Sequence, residues 1–130
     1  MTGANTGSIA EFVVDLIYNI PDSVNSGTNI VNWVEMGKRY VQNWTGDTIS
    51  SDSIPEKYQT VLTNLGCAYT LSKMIGTNID FNVRIGEFNA SKVPSDSPES
   101  TQMNFYLAQV NEELKSIGRK AGNRYSKVMS

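Results

Sequence analysis

The 130-residue sequence has no histidine and a single cysteine, Cys67. Without histidine it lacks the commonest general base and the commonest metal ligand. A lone cysteine excludes an internal disulfide framework and a thiolate metal site, and no Cys–His or Ser–His pair can form. Neither standard Gly-rich phosphate loop is present. No apolar run approaches the length of a membrane span, and residues 1–8 are too polar for a signal peptide, so the expectation is a soluble protein with no membrane partner. The one pair of adjacent carboxylates is Glu112-Glu113, and neighbours on a helix point to different faces, so both read as a solvated helix face. Asp15, Asp47, Asp52 and Asp80 stand alone in turns or on polar faces. These absences argue against an enzyme and for a protein without cofactor or metal.

What is present fits one domain. A chain of this length buries roughly two-thirds of its unfolded surface, enough for a single core. Hydrophobic residues make up 39% and charged residues 18%, a composition that folds rather than stays disordered. The net charge of −2 conceals an asymmetry: residues 1–114 hold thirteen acids against six bases, whereas residues 115–130 hold five bases and no acid. A cationic end on an anionic body implies docking on something negative, either nucleic acid or another protein. Tyr125, Val128 and Met129 among those cations suit a protein groove better than a phosphate track. The acidic body would repel non-specific duplex binding along its length.

Apolar spacing marks the helices. The central one is IPEKYQTVLTNLGCAYTLSKMI, residues 54–75, with Pro55 and Glu56 at its start and Gly76 as a left-handed stop. Tyr58, Val61, Leu62, Leu65, Tyr69 and Ile75 fall at three- and four-residue steps, and Ala68, Leu71 and Met74 widen the stripe. A helix apolar most of the way round is covered from several sides, so this one is expected to be the post of the domain. Before it, Ser8 with Glu11 reads as a capping box opening a helix through Ile9, Phe12, Val13, Leu16 and Ile17, ended by Pro21; residues 1–7 are expected to be loose. A second helix starts near Asn29 and runs through Ile30, Trp33, Val34, Gly37, Val41 and Trp44 to Thr45-Gly46, with Gly37 either weakening its middle by about 1 kcal/mol or marking a close helix crossing. Trp33 and Trp44 share a face and read as core, as do Tyr58 and Tyr69, and Cys67 reads as a buried, inert thiol. The glycosylation triplet Asn43-Trp44-Thr45 reads as chance.

After Gly76 the period changes to two. Phe81, Val83 and Ile85 alternate with polar residues, and Phe88 restarts the apolar set, which predicts an extended arm or short hairpin at residues 80–92. A lone two-stranded ribbon is marginal in water and needs support from the body or a neighbouring subunit. SKVPSDSPES is linker composition, and Pro98-Glu99 opens a last helix lined by Met103, Tyr106, Leu107, Val110, Leu114 and Ile117. The expected fold is therefore all-α: a bundle of about four helices around residues 55–75, with a helical domain at 1–118 and a basic C-terminal tail at 119–130. No internal repeat is present.

Three segments carry a resemblance. VNWVEMGKRYVQNWTGDTI is a helix ending in a Trp-Thr-Gly turn; IPEKYQTVLTNLGCAYTLSKMIG is a proline-started helix with small residues in its middle; IGEFNASK precedes the last helix. Together, over residues 9–118, the chain resembles the small head–tail connector (adaptor, head-completion) proteins of long-tailed double-stranded DNA phages. The long SKVPSDSPES linker departs from that pattern. The resemblance implies a structural virion protein of the neck, made in the host cytoplasm. It implies a homo-oligomeric ring of twelve copies beneath the portal protein that prolongs the DNA channel, passes genomic DNA without reading its sequence, and offers a surface to the tail or a second connector. It also implies a portal-docking tail (Arg119, Lys120, Arg124, Tyr125, Lys127, Val128, Met129) and an intersubunit or tail-facing arm (Phe81, Val83, Arg84, Ile85, Phe88). The competing readings from other classes are a small helical nucleic-acid-binding regulator using the basic tail, and a helical toxin–antitoxin or chaperone-like partner.

Overall fold

A computed structural model describes residues 4–90 and 97–118. The order is α1 (Thr6–Leu16), α2 (Asn29–Thr45), α3 (Glu56–Ile75), β1 (Ile79–Asn82), β2 (Glu87–Ala90) and α4 (Pro98–Ile117). The described chain is thus a mostly helical fold of four helices carrying one small antiparallel two-stranded sheet.

The post is α3. Pro55 caps its start in an extended conformation and Gly76 (φ 73°) turns the chain away after Ile75, as the sequence predicts. Tyr58, Val61, Leu62, Leu65, Cys67, Ala68, Tyr69 and Leu71 are all buried. Polar residues survive inside this helix because their hydroxyls bond back to its own carbonyls: Thr63 Oγ1 to Gln59 O and Thr70 Oγ1 to Gly66 O, each at 2.8 Å.

Two glycines set how closely the other helices approach. A Cβ on Gly37 of α2 would lie 3.2 Å from Leu65 Cδ1, so Gly37 does mark a close helix crossing. A Cβ on Gly66 of α3 would lie 2.6 Å from Val13 Cγ2 and 3.2 Å from Val34 Cγ2. Thus α1 and α2 both press on the same turn of the post, a crossing point the sequence did not reveal. From another side α4 lays Met103, Leu107, Val110 and Leu114, all buried, along α3. Each such side chain contributes about 2 kcal/mol on leaving water. Trp33 and Trp44 are half-buried against this core.

The first helix departs from expectation at both ends. Its cap is Asn5, not Ser8: Asn5 Oδ1 accepts the Ser8 N–H at 2.7 Å, and the Ser8 hydroxyl donates to the same oxygen at 3.0 Å. The helix stops at Leu16, before Pro21, because Ile17 turns extended (φ −100°, ψ 124°) and Asn19 enters the left-handed region (φ 57°). Of residues 1–7, expected to be loose, 1–3 lie outside the described residues and 4–7 are tied down, with Ile54 N–H donating to Ala4 O at 2.8 Å and Thr6 N–H to Ser51 O at 3.0 Å.

The last helix begins as predicted. Ser97 Oγ accepts the Ser100 N–H at 3.1 Å and Pro98 occupies the first turn. No helix among the described residues is long and apolar enough to cross a membrane.

Candidate interaction surface

The predicted arm is a hairpin. Ile79 pairs with Ala90, Asp80 with Asn89, Phe81 with Phe88 and Asn82 with Glu87. The alternation in the sequence implied strand continuing through Val83 and Ile85, yet both lie in the turn. Asn82 ends the strand: its Oδ1 accepts the Arg84 N–H at 3.0 Å and its carbonyl accepts the Gly86 N–H at 2.8 Å. Gly86 then takes a left-handed φ of 64°.

The body supplies the support that a two-stranded ribbon needs. Phe81 and Phe88 face each other across the strands with ring centroids 4.3 Å apart, and Tyr40 of α2 packs on both at 5.6 and 6.0 Å. Asn111 of α4 completes the ladder on Phe88. Its Oδ1 accepts the Phe88 N–H at 2.8 Å, and its Nδ2 donates to Phe88 O at 3.1 Å. Gly86 sits under the Trp44 ring, so closely that a Cβ would lie 2.5 Å from Trp44 Cζ2. Phe88 is fully buried, whereas Val83 is 36% and Ile85 56% exposed. The five arm residues therefore divide by role: Phe81 and Phe88 anchor the hairpin, while Val83, Arg84 and Ile85 form its solvent-facing tip.

A second apolar surface lies on α1. The sequence stripe placed Phe12 and Leu16 among the core residues, but they are 43% and 54% exposed, and Tyr18 just beyond is 84% exposed. Ile9, Val13 and Ile17 fill the contact with the post, and Phe12 and Leu16 fall on the flank of that stripe. The signal in the sequence was excess: an apolar set broader than one covered face of an eleven-residue helix can bury. On the opposite flank, α1 and the start of α2 enclose an open groove of about 370 Å³, whose lining includes Ala10, Glu11, Val14, Asp15, Ile30 and Val31.

Polar clusters elsewhere hold loops in place. Glu35 accepts from Ser51 Oγ at 3.0 Å and pairs with Lys38 at 3.3 Å. Burial pushes its carboxyl up, but these partners and Thr6 outweigh it and the pKa is lowered. Asp47 is not isolated as expected: its carboxylate accepts from the Tyr58 hydroxyl and lies 3.7 Å from Lys57 Nζ. Burial, then that hydrogen bond, raise the Tyr58 phenol to about 12. Glu112 is solvated beside Lys115, but Glu113 is half-buried against Asn64, whose Nδ2 donates to it at 3.2 Å. Cys67 is fully buried and its thiol is pushed up to about 12 by burial. Among the described residues no three His, Cys, Asp or Glu side chains converge in a way that could hold a metal ion. The tail residues Arg119, Lys120, Arg124, Tyr125, Lys127, Val128 and Met129 lie outside the described residues.

No family model matches this chain, and no curated protein or solved structure matches it either.

Proposed function

We propose that this chain is a structural connector of a phage neck, a ring-forming adaptor that sits under a portal, prolongs the DNA channel and presents a surface to the next connector or the tail. The reading draws on the three sequence segments that resemble such adaptors. The observation that carries it is the presence of two separate apolar surfaces on one small domain, Val83 and Ile85 at the hairpin tip and the open groove lined by Ala10, Val14, Ile30 and Val31. They belong to opposite halves of α2. The hairpin packs on Tyr40 and Trp44, while α1 meets the segment near Ile30 and Val31. Ten residues of helix separate those halves by about 15 Å. A heterologous ring needs such an arrangement, because each copy must offer one patch forward and a different one backward.

In this reading the cationic segment 119–130 docks on the portal, and DNA passes a predominantly acidic body that does not grip it. The experiment is a mass measurement of the full chain alone and mixed with its portal ring. A stoichiometric complex carrying a closed ring of copies is expected; a chain that stays monomeric and never joins the portal overturns the proposal.

A further inference from the structure

The hairpin tip and the α1–α2 groove complement each other in polarity and charge. The tip is convex, with two apolar side chains, Val83 and Ile85, flanking the cationic Arg84. The groove is concave, about 370 Å³, with Ala10, Val14, Ile30 and Val31 among its lining residues. Its lining also carries Glu11 and Asp15, four residues apart and so one turn apart on α1. We infer that the tip of one copy seats in the groove of the next, Val83 and Ile85 on the apolar lining and Arg84 between the two carboxylates.

The partner is a second copy because a single chain cannot make this contact with itself. The tip is fixed to the C-terminal half of α2 by Trp44 over Gly86 and to α4 by Asn111, while the groove opens at the N-terminal half of α2. Patch and receptor differ, so the contact is head-to-tail, the kind that closes a ring where the rotation between copies is a whole fraction of a turn. The inference rests on the ring reading in taking the partner to be another copy, and deepens it by naming the contact. A tip of three residues buries well below the 1,200–2,000 Å² typical of a stable interface. Pairwise association is therefore weak, and closure supplies the rest by making the last contact intramolecular.

Two full-length single-cysteine additions test it. A Val14→Cys chain mixed with an Ile85→Cys chain under mild oxidation should give a disulfide-linked heterodimer that neither gives alone; Cys67, buried throughout, is a silent background. Arg84→Glu in the tip-bearing chain should slow cross-linking about fivefold, as should Glu11→Lys with Asp15→Lys in the groove-bearing chain. Combining the two should restore the rate, since the charges are then exchanged rather than removed. No heterodimer above the single-chain controls, or a rate indifferent to all three charges, overturns the inference. A ring that forms on the portal while the cross-link fails would leave the connector reading standing and place the interface elsewhere.

Discussion

The side-chain amide of Asn111 on α4 makes both hydrogen bonds to the backbone of Phe88, donating to its carbonyl at 3.1 Å and accepting from its N–H at 2.8 Å. One side chain thereby acts as a third strand at a single position and ties the hairpin to α4. Asn111→Ala leaves a Phe88 N–H and C=O without partners beside a fully buried ring, a loss of about 2 kcal/mol. Urea unfolding should show that loss. Amide exchange should accelerate at residues 79–90 more than in α3. Asn111→Asp keeps the acceptor but turns a carboxylate oxygen toward the Phe88 carbonyl, so at neutral pH it should be at least as damaging as Asn111→Ala.

Gly86→Ala should be at least as damaging. A Cβ there would lie 2.5 Å from the Trp44 ring, and the φ of 64° disfavours any other side chain. Overpacking and backbone strain together should cost about 3 kcal/mol, read by thermal unfolding, and the Trp44 emission should shift as its ring is displaced. Gly27→Ala has a positive φ of 58° but nothing within 4 Å of the added carbon, so it should cost only the strain.

Glycine and proline also show where the sequence was legible. Gly46, Gly76 and Gly118 end three helices in positive φ, and Pro98 opens the last, so α2, α3 and α4 could be placed from local chemistry alone. Helix α1 could not, because two residues compete for its start. Ser8 carries the capping-box signature, but Asn5 takes the cap by accepting the Ser8 N–H, and a long-range pairing of Ala4 with Ile54 decides the outcome. The hairpin tip was hidden for a similar reason. Phe81, Val83 and Ile85 alternate perfectly, yet Asn82 and Gly86 fold the chain back before the alternation ends. The groove is made by side chains from separate helices, so no local pattern could announce it.

Stability should fall at alkaline pH through groups that the fold keeps neutral. Burial raises the Cys67 thiol from 9.0 to about 12, and burial followed by the Asp47 hydrogen bond raises the Tyr58 phenol from 10.0 to about 12. A folded pKa above the unfolded one stabilises fully below the unfolded value and less as pH climbs toward the folded value. The denaturation midpoint should therefore stay level to about pH 9 and decline from there to about pH 12. Cys67→Ala should cost about 1 kcal/mol at pH 8 through lost packing, and its alkaline decline should be shallower. Tyr58→Phe should likewise flatten the limb above pH 10. Slopes identical to the parent chain in both variants would show that neither group governs it.

Glu113 gives an experiment of the same sign at lower pH. Burial raises its carboxyl above the ordinary 4.5, and the hydrogen bond from Asn64 only partly offsets that. The stabilising form is the neutral acid, present in full below the unfolded pKa and lost as pH rises, so at pH 7 the ionised side chain is held at a disadvantage. Glu113→Gln keeps an acceptor for Asn64 and removes the charge. It should stabilise the chain at pH 7 by roughly 0.5 kcal/mol after allowance for solvent screening, and leave stability at pH 3 unchanged. Glu113→Ala strips Asn64 of its partner and should destabilise at both pH values. Urea melts of the three chains at pH 3 and pH 7 decide it: a Gln variant weaker than the parent at pH 7 would mean the carboxylate is held by attraction that outweighs its burial.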